Sequence, residues 1–234
     1  LQDPESSGKW DRRGLVIGSV QSGKTSNFMG VINRAADAKY RLIIVIAGIS
    51  NELRKQTQKR IDKAFIGRSS DPNSRWERIG VGKDDPDFPT PVTLTNINSD
   101  FNKSIAKSLG GTIDNFNRPV VLVIKKHPTV LENIYDWLKD LNAEQHGHIT
   151  DIPMLMIDDE ADQASINYNS EENDPTTTNS WIRKILCLFD KSSFIAYTAT
   201  PFANIFINPD NYSEDAMEEL FPKDFIYCLD APNT

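Results

Sequence analysis

The chain has only two cysteines and three histidines in 234 residues. Cys187 and Cys228 lie in apolar contexts and make no disulfide framework, so a reducing compartment is expected and both read as core positions. His146-Gly147-His148 lacks a third ligand nearby and reads as a polar loop, while His127 ahead of Pro128 reads as a helix cap. Long apolar runs are missing as well. The longest, such as Leu42 to Ala47, are about six residues, against the roughly 20 that a membrane helix requires. Leu1-Gln2-Asp3-Pro4 shows neither the charged nor the apolar region of a leader. A soluble, cytoplasmic chain is expected, and its start without Met and its stop at Asn233-Thr234 suggest a piece of something longer.

Basic excess is lacking too. Net charge is −7, so no global field announces nucleic acid, although a local basic patch is compatible with that balance. The deficit sits at the C-terminal end, where Asp210, Glu214, Asp215, Glu218, Glu219, Asp224 and Asp230 face Lys223 alone. Residues 1–209 therefore read as the main unit and residues 210–234 as an acidic segment leading to a further part. The length allows a full hydrophobic core without metal or disulfide staples.

What the sequence does have is an alternation of branched apolar runs with helix-period segments, the sign of βαβ units around a mostly parallel sheet. Strands are expected at Leu15 to Ile17, Leu42 to Ala47, Val92 to Thr95, Val120 to Ile124, Ile152 to Ile157 and Phe194 to Thr198. Several are apolar at every position, as when helices cover both sheet faces. Helices are expected at Thr25 to Ala38, Glu52 to Ile66, Pro128 to Leu141 and Trp181 to Phe189. In Glu52 to Ile66, Leu53, Thr57, Ile61 and Ala64 form a core face opposite Lys55, Lys59 and Lys63. Gly67 to Pro91 and Glu171 to Ser180 read as loops.

Three segments carry chemistry. Gly18-Ser19-Val20-Gln21-Ser22-Gly23-Lys24-Thr25 matches the phosphate-binding loop, with a strand entering and a helix leaving. Its glycines let backbone N–H groups and the helix N-terminus face an anion. Lys24 would reach the β and γ phosphates and Thr25 would hold Mg²⁺. Met154 to Asp162 is an apolar strand ending in carboxylates, at the sheet edge where open α/β folds bind ligands. Asp159 is assigned to the metal and Glu160 to the attacking water, with Asp158 and Asp159 as the alternative pair. The third segment, Phe194 to Pro201, is a strand whose end delivers Thr198 and Thr200.

In order, Gly23-Lys24-Thr25, Asp159-Glu160-Ala161-Asp162 and Thr198-Ala199-Thr200-Pro201 resemble motifs I, II and III of superfamily-two helicases and translocases. The resemblance implies a three-layer α/β RecA-like P-loop lobe over residues 1–209. Lys24, Asp159, Glu160, Thr198 and Thr200 would then be catalytic, and Gly18, Val20, Gln21, Ser22, Gly23, Lys24 and Thr25 would bind ATP. Thr25 and Asp159 would hold Mg²⁺. A narrower resemblance adds Arg13 to Gly18, the segment Ala47-Gly48-Ile49 with Leu53-Arg54 and Gln56-Thr57 at motif Ia, Val123 to Lys126, and Tyr197 to Asn204. These blocks resemble the Z-one domain family, labelled an endonuclease family. That likeness implies a bacterial helicase-like ATPase linked to restriction or other anti-phage defence.

The implied activity is nucleic-acid-dependent ATP hydrolysis, weak without a second RecA-like lobe and its arginine. The implied partners are nucleic acid, with DNA favoured over RNA, that second lobe, and defence-system proteins, with no membrane. No Asp with a Glu-x-Lys pair is present, so the segment does not support nuclease activity. The alternative is a nucleotide-dependent switch or scaffold that does not translocate. Arg54, Lys55 and Lys59, with Lys125 and Lys126, are the candidate nucleic-acid contacts, Arg60 and Lys63 lying beside them, and a solvated helix face is the plainer reading of the lysines. Trp10, Arg12 and Arg13, just ahead of the loop, could stack or hold an adenine.

Overall fold

A computed structural model of the chain describes residues 1–19, 22–74, 77–85, 87–108, 112–141, 143, 147–163, 177–205, 207, 212–213 and 217–230. Its elements are β1 (Trp10–Ile17), α1 (Lys24–Asp37), β2 (Leu42–Ala47) and α2 (Asn51–Ile61), which a π-helical turn (Asp62–Ile66) extends. Next come α3 (Val81–Asp84), β3 (Val92–Thr93), α4 (Lys103–Ser108), a 3₁₀ turn (Ile113–Asn115), β4 (Val120–Ile124) and α5 (Pro128–Leu141). The chain continues through β5 (Met154–Asp159), α6 (Thr177–Cys187), β6 (Lys191–Thr198), α7 (Phe202–Ile205), β7 (Tyr212–Ser213), β8 (Met217–Glu218) and β9 (Phe225–Cys228).

Seven strands form one sheet in the order β3-β4-β2-β5-β6-β1-β9, with each neighbouring pair parallel. The short β7 and β8 pair antiparallel apart from it. Every residue of β2 and β4 is buried, which is why their sequences show no alternation. The pleat nevertheless sorts them. Leu42, Ile44, Ile46, Met154 and Met156 face one core with Leu131, Ile134 and Trp137 of α5 and Ile182 and Ile185 of α6. Ile43, Val45, Leu155, Ile157 and Tyr197 face the other with Phe28 and Ile32 of α1, Ile61 of α2 and Phe65 of the π turn. This period of two divides helix, sheet and helix into the expected three layers. Each fully buried Phe28 or Ile32 contributes about 1.5–3 kcal/mol of apolar burial.

β2, β4 and α5 have the expected bounds, and α1 starts one residue early. α6 begins at Thr177, so residues 177–180 are helical rather than loop, while residues 164–176 lie outside the described residues. β3 is only two residues long.

The boundary at residue 209 does not hold. β9 pairs with β1, matching Gly14 to Phe225 and Ile17 to Cys228. Two of the acids in this segment, Asp224 and Glu219, are held by partners in the body of the fold. Asp224 accepts bonds from the Arg13 N–H and from Arg12 Nη1, each 2.8 Å. Buried Glu219 accepts from Asn179 Nδ2 at 2.7 Å and Arg183 Nη1 at 3.2 Å, and Arg13 donates to its carbonyl. Charge pairing across the fold anchors this segment together with buried Leu220 and with Phe225 and Leu229, which pack against the opposite core. Cys228 is exposed and Cys187 half-buried, so neither is the core residue its neighbours suggested. Among the described residues no helix is long and apolar enough to cross a membrane.

Candidate functional site

Parallel pairing brings the ends of three adjacent strands level. Ile17 of β1 lies opposite Thr198 of β6, and Tyr197 lies opposite Asp159 of β5. The Gly18 N–H continues this register by donating to the Thr198 carbonyl at 3.0 Å. The loop, the carboxylates and the threonines therefore share the C-terminal edge of the sheet.

Val20 and Gln21 lie outside the described residues. A β-carbon on Gly18 would overlap the Ser22 hydroxyl, and Gly23 has φ of 84°, a left-handed conformation that glycine adopts without strain. Ser22 is buried in the turn, its N–H donating to the Ser19 carbonyl. From Gly23 the chain enters α1 with no side-chain cap and no acid in the first turn. By contrast, α2 is capped by Ser50, whose hydroxyl accepts from the Leu53 N–H, and carries Glu52 in its first turn. The first N–H groups of α1 and the positive end of its dipole suit an external anion. Lys24 Nζ sits over this turn, 2.7 Å from the Gly18 carbonyl and 3.1 Å from that of Ser19.

The strand period separates the three consecutive acids. Asp158 shares the face of Met154 and Met156, under α5 and α6, and is fully buried in an ion pair with Lys126 at 2.7 Å. Asp159 shares the face of Leu155 and Ile157, where α1 stands, and opens into a cleft with Lys24 and Thr25. Of the two, Asp159 is the one that faces the cleft, while Asp158 is turned away from it. Lys126 Nζ also donates to the Asp159 carbonyl at 3.2 Å and the Glu160 carbonyl at 2.7 Å, fixing the strand end. Glu160 then turns the chain with φ of 56°, unusual for a residue with a side chain. Burial, reinforced by the neighbouring charges of Glu160 and Asp158, raises the Asp159 carboxyl to about 6.

Both threonines answer to Asp162. Thr198 Oγ1 donates to one of its carboxylate oxygens at 2.7 Å and Thr200 Oγ1 to the other at 2.8 Å. Partial burial would raise that carboxyl, but these two hydrogen bonds outweigh it and hold the group below the ordinary range. Thr198 and Thr200 therefore tie the end of β6 to the acidic turn after β5.

The cleft encloses about 380 Å³ between the loop, the end of β2, the acids and one stripe of α2. Among the described residues no group of three or more His, Cys, Asp and Glu could hold a metal. A magnesium ion here would take Thr25 and Asp159 and complete its shell with phosphate oxygens and water, as that ion ordinarily does. The residues present fit a magnesium–nucleotide in which the phosphates bring part of the coordination.

The expected basic patch is reduced. Arg54 is 2% exposed and donates to the Asn96 carbonyl at 2.8 Å and the Ile97 carbonyl at 2.7 Å, so it is an internal strut and not a nucleic-acid contact. Lys126 is buried on Asp158 and is likewise removed from the surface. A helical period places Arg54 with Thr57, Gln58 and Ile61 on the buried face, whereas Leu53 is exposed at the cleft. Lys55 and Lys59 are exposed, and Lys125 is half-buried. Trp10 is buried edge-on against Tyr40, and Arg13 is buried on Asp11 and the Glu219 carbonyl. Neither can hold an adenine. His127 Nδ1 accepts from the Thr129 N–H at the start of α5, as a cap does. His146 lies outside the described residues.

Sequence reasoning missed the places of Gln56 and Arg60 in the cleft and the role of Asp162. The spacing Leu53, Gln56, Thr57, Arg60 was the available signal, since it marks one helical face distinct from that of Lys55 and Lys59. Compared with protein-family models and with curated protein sequences, the chain matches none.

Proposed function

We propose that this chain is an ATP-binding and ATP-hydrolysing lobe of a superfamily-two-like motor that acts on nucleic acid in the cytoplasm, within a bacterial restriction or anti-phage system. The observation that carries the reading is the meeting of Lys24, Thr25 and Asp159 in one cleft at the uncapped start of α1. The glycine turn, ammonium and hydroxyl that ATP chemistry needs come from one loop, and the carboxylate comes from a strand more than a hundred residues further along the sequence. The motor and defence parts rest on the resemblance of motifs I, II and III and of the surrounding blocks.

In this reading Lys24 exchanges the Gly18 and Ser19 carbonyls for phosphate oxygens, while the α1 amides orient the chain of phosphates. Magnesium, held by Thr25 and Asp159, would supply neutralisation of the phosphate charge. Glu160 accepts a proton from a water molecule as its oxygen bonds to the γ phosphorus. The bond from that phosphorus to the β–γ bridging oxygen breaks, and ADP leaves with the electron pair. Asp162 relays the position of this turn to Thr198 and Thr200 on β6. Lys55, Lys59 and Lys125 are the accessible cations for a nucleic-acid backbone.

Calorimetry with magnesium and ATP tests the site. Binding is expected in the wild type, lost in Lys24→Ala and kept in Glu160→Gln, while Glu160→Gln stops turnover. Stimulation of hydrolysis by DNA supports the motor, and a rate indifferent to DNA and RNA would leave a nucleotide switch instead.

A further inference from the structure

The helical stripe facing the cleft ends in Arg60. Leu53, Gln56, Thr57 and Arg60 recur at spacings of three and four, so α2 turns this face toward Lys24 and Thr25 and keeps Lys55 and Lys59 on another. Arg60 Nη1 donates to Thr25 Oγ1 at 3.1 Å. Among the described residues no carboxylate forms an ion pair with it. Its side chain also borders a second, open cavity of about 390 Å³ between α1 and the π turn, lined with Thr25, Met29, Lys63 and Ala64. A guanidinium with room to move and an alcohol as its hydrogen-bond partner lies beside the phosphate loop.

That position conflicts with the role given to Thr25. A hydroxyl that accepts from a guanidinium cannot hold a divalent cation on the same side, because two positive groups would lie against one oxygen. Loading the site with a magnesium–nucleotide therefore displaces Arg60. The strongest acceptors then within the cleft are the distal phosphate oxygens, for which a planar, permanently charged fork is well matched.

We propose that Arg60 is a terminal-phosphate contact supplied from within the chain, by which the site distinguishes a nucleoside triphosphate from a diphosphate. The inference rests on the nucleotide reading above and adds to it a residue that senses the γ phosphate. It also gives the Arg60 side chain two positions, on Thr25 or on phosphate, and so places a nucleotide-sensing group on the helix that carries Lys55 and Lys59.

The test is calorimetry of the whole chain with magnesium and either a non-hydrolysable ATP analogue or ADP. Arg60→Ala should weaken triphosphate binding by about 10- to 100-fold, the range for a lost charge-assisted hydrogen bond, and leave ADP binding within about twofold. Arg60→Lys should fall between, since it keeps charge without the fork. Equal weakening of both nucleotides, or no change in either, overturns the proposal while leaving the nucleotide site intact. Failure of the wild type to bind either nucleotide would overturn the site itself and this inference with it. Arg60 is exposed, and an unchanged thermal midpoint of each variant confirms that binding, not folding, is being read.

Discussion

Lys126 and Asp158 form an ion pair at 2.7 Å with neither side chain exposed, directly beneath the carboxylates of the cleft. The pair explains why three consecutive acids can coexist at the end of β5. One is neutralised from below, and its ammonium simultaneously grips the carbonyls of the other two.

Removing either partner leaves a buried charge uncompensated, which costs about 3–5 kcal/mol. Lys126→Met and Asp158→Leu are each expected to lower stability to that extent in urea unfolding, and the double variant should recover much of the loss. Asp158→Asn and Asp159→Asn separate the two roles. Metal-dependent nucleotide binding should be lost in the second and largely kept in folded Asp158→Asn. Equal binding defects would overturn the assignment of Asp159.

The raised Asp159 carboxyl makes stability depend on pH with a definite sign. Its folded value of about 6 lies above its ordinary 3.8, so the folded state holds the proton more tightly. The resulting stabilisation is complete below about pH 4 and is lost as pH rises through about 6, an effect on the order of 2–3 kcal/mol. In metal-free buffer Asp159→Asn should remove this component. The check is the difference in unfolding free energy between wild type and variant at pH 4.5 and at pH 7. A constant difference would refute it.

The left-handed backbone of Glu160 stores strain at the residue assigned to the attacking water. Glu160→Gly should relieve it, raising stability by about 1 kcal/mol, offset in part by glycine's greater freedom when unfolded. ATP hydrolysis should be lost in the same variant. A destabilised Glu160→Gly would show that the side chain contributes more to folding than the strained turn costs.

The sheet was legible because branched apolar runs such as Leu42 to Ala47 and Val120 to Ile124 have few ways to be buried other than as central parallel strands. The turn between β1 and α1 was legible because its pattern is local, with glycine, lysine and threonine adjacent in the chain. β9 was not, since its burial is slight and its attachment depends on Arg12, Arg13 and Arg183 from distant elements. The basic face of α2 was only half legible. Amphipathic spacing distinguishes two sides of a helix, whereas this one has three, toward core, cleft and solvent.

The sequence by itself determined the alternation of strands and helices and the glycine turn that leads from β1 into α1, both of which follow from neighbours along the chain. Only the tertiary structure decided which of Asp158 and Asp159 faces the cleft, that Arg54 and Lys126 are internal while Arg60 is not, and that Asp162 joins Thr198 to Thr200. Those outcomes depend on pleat phase, helix rotation and strand order, through which groups remote in sequence share a single sheet edge.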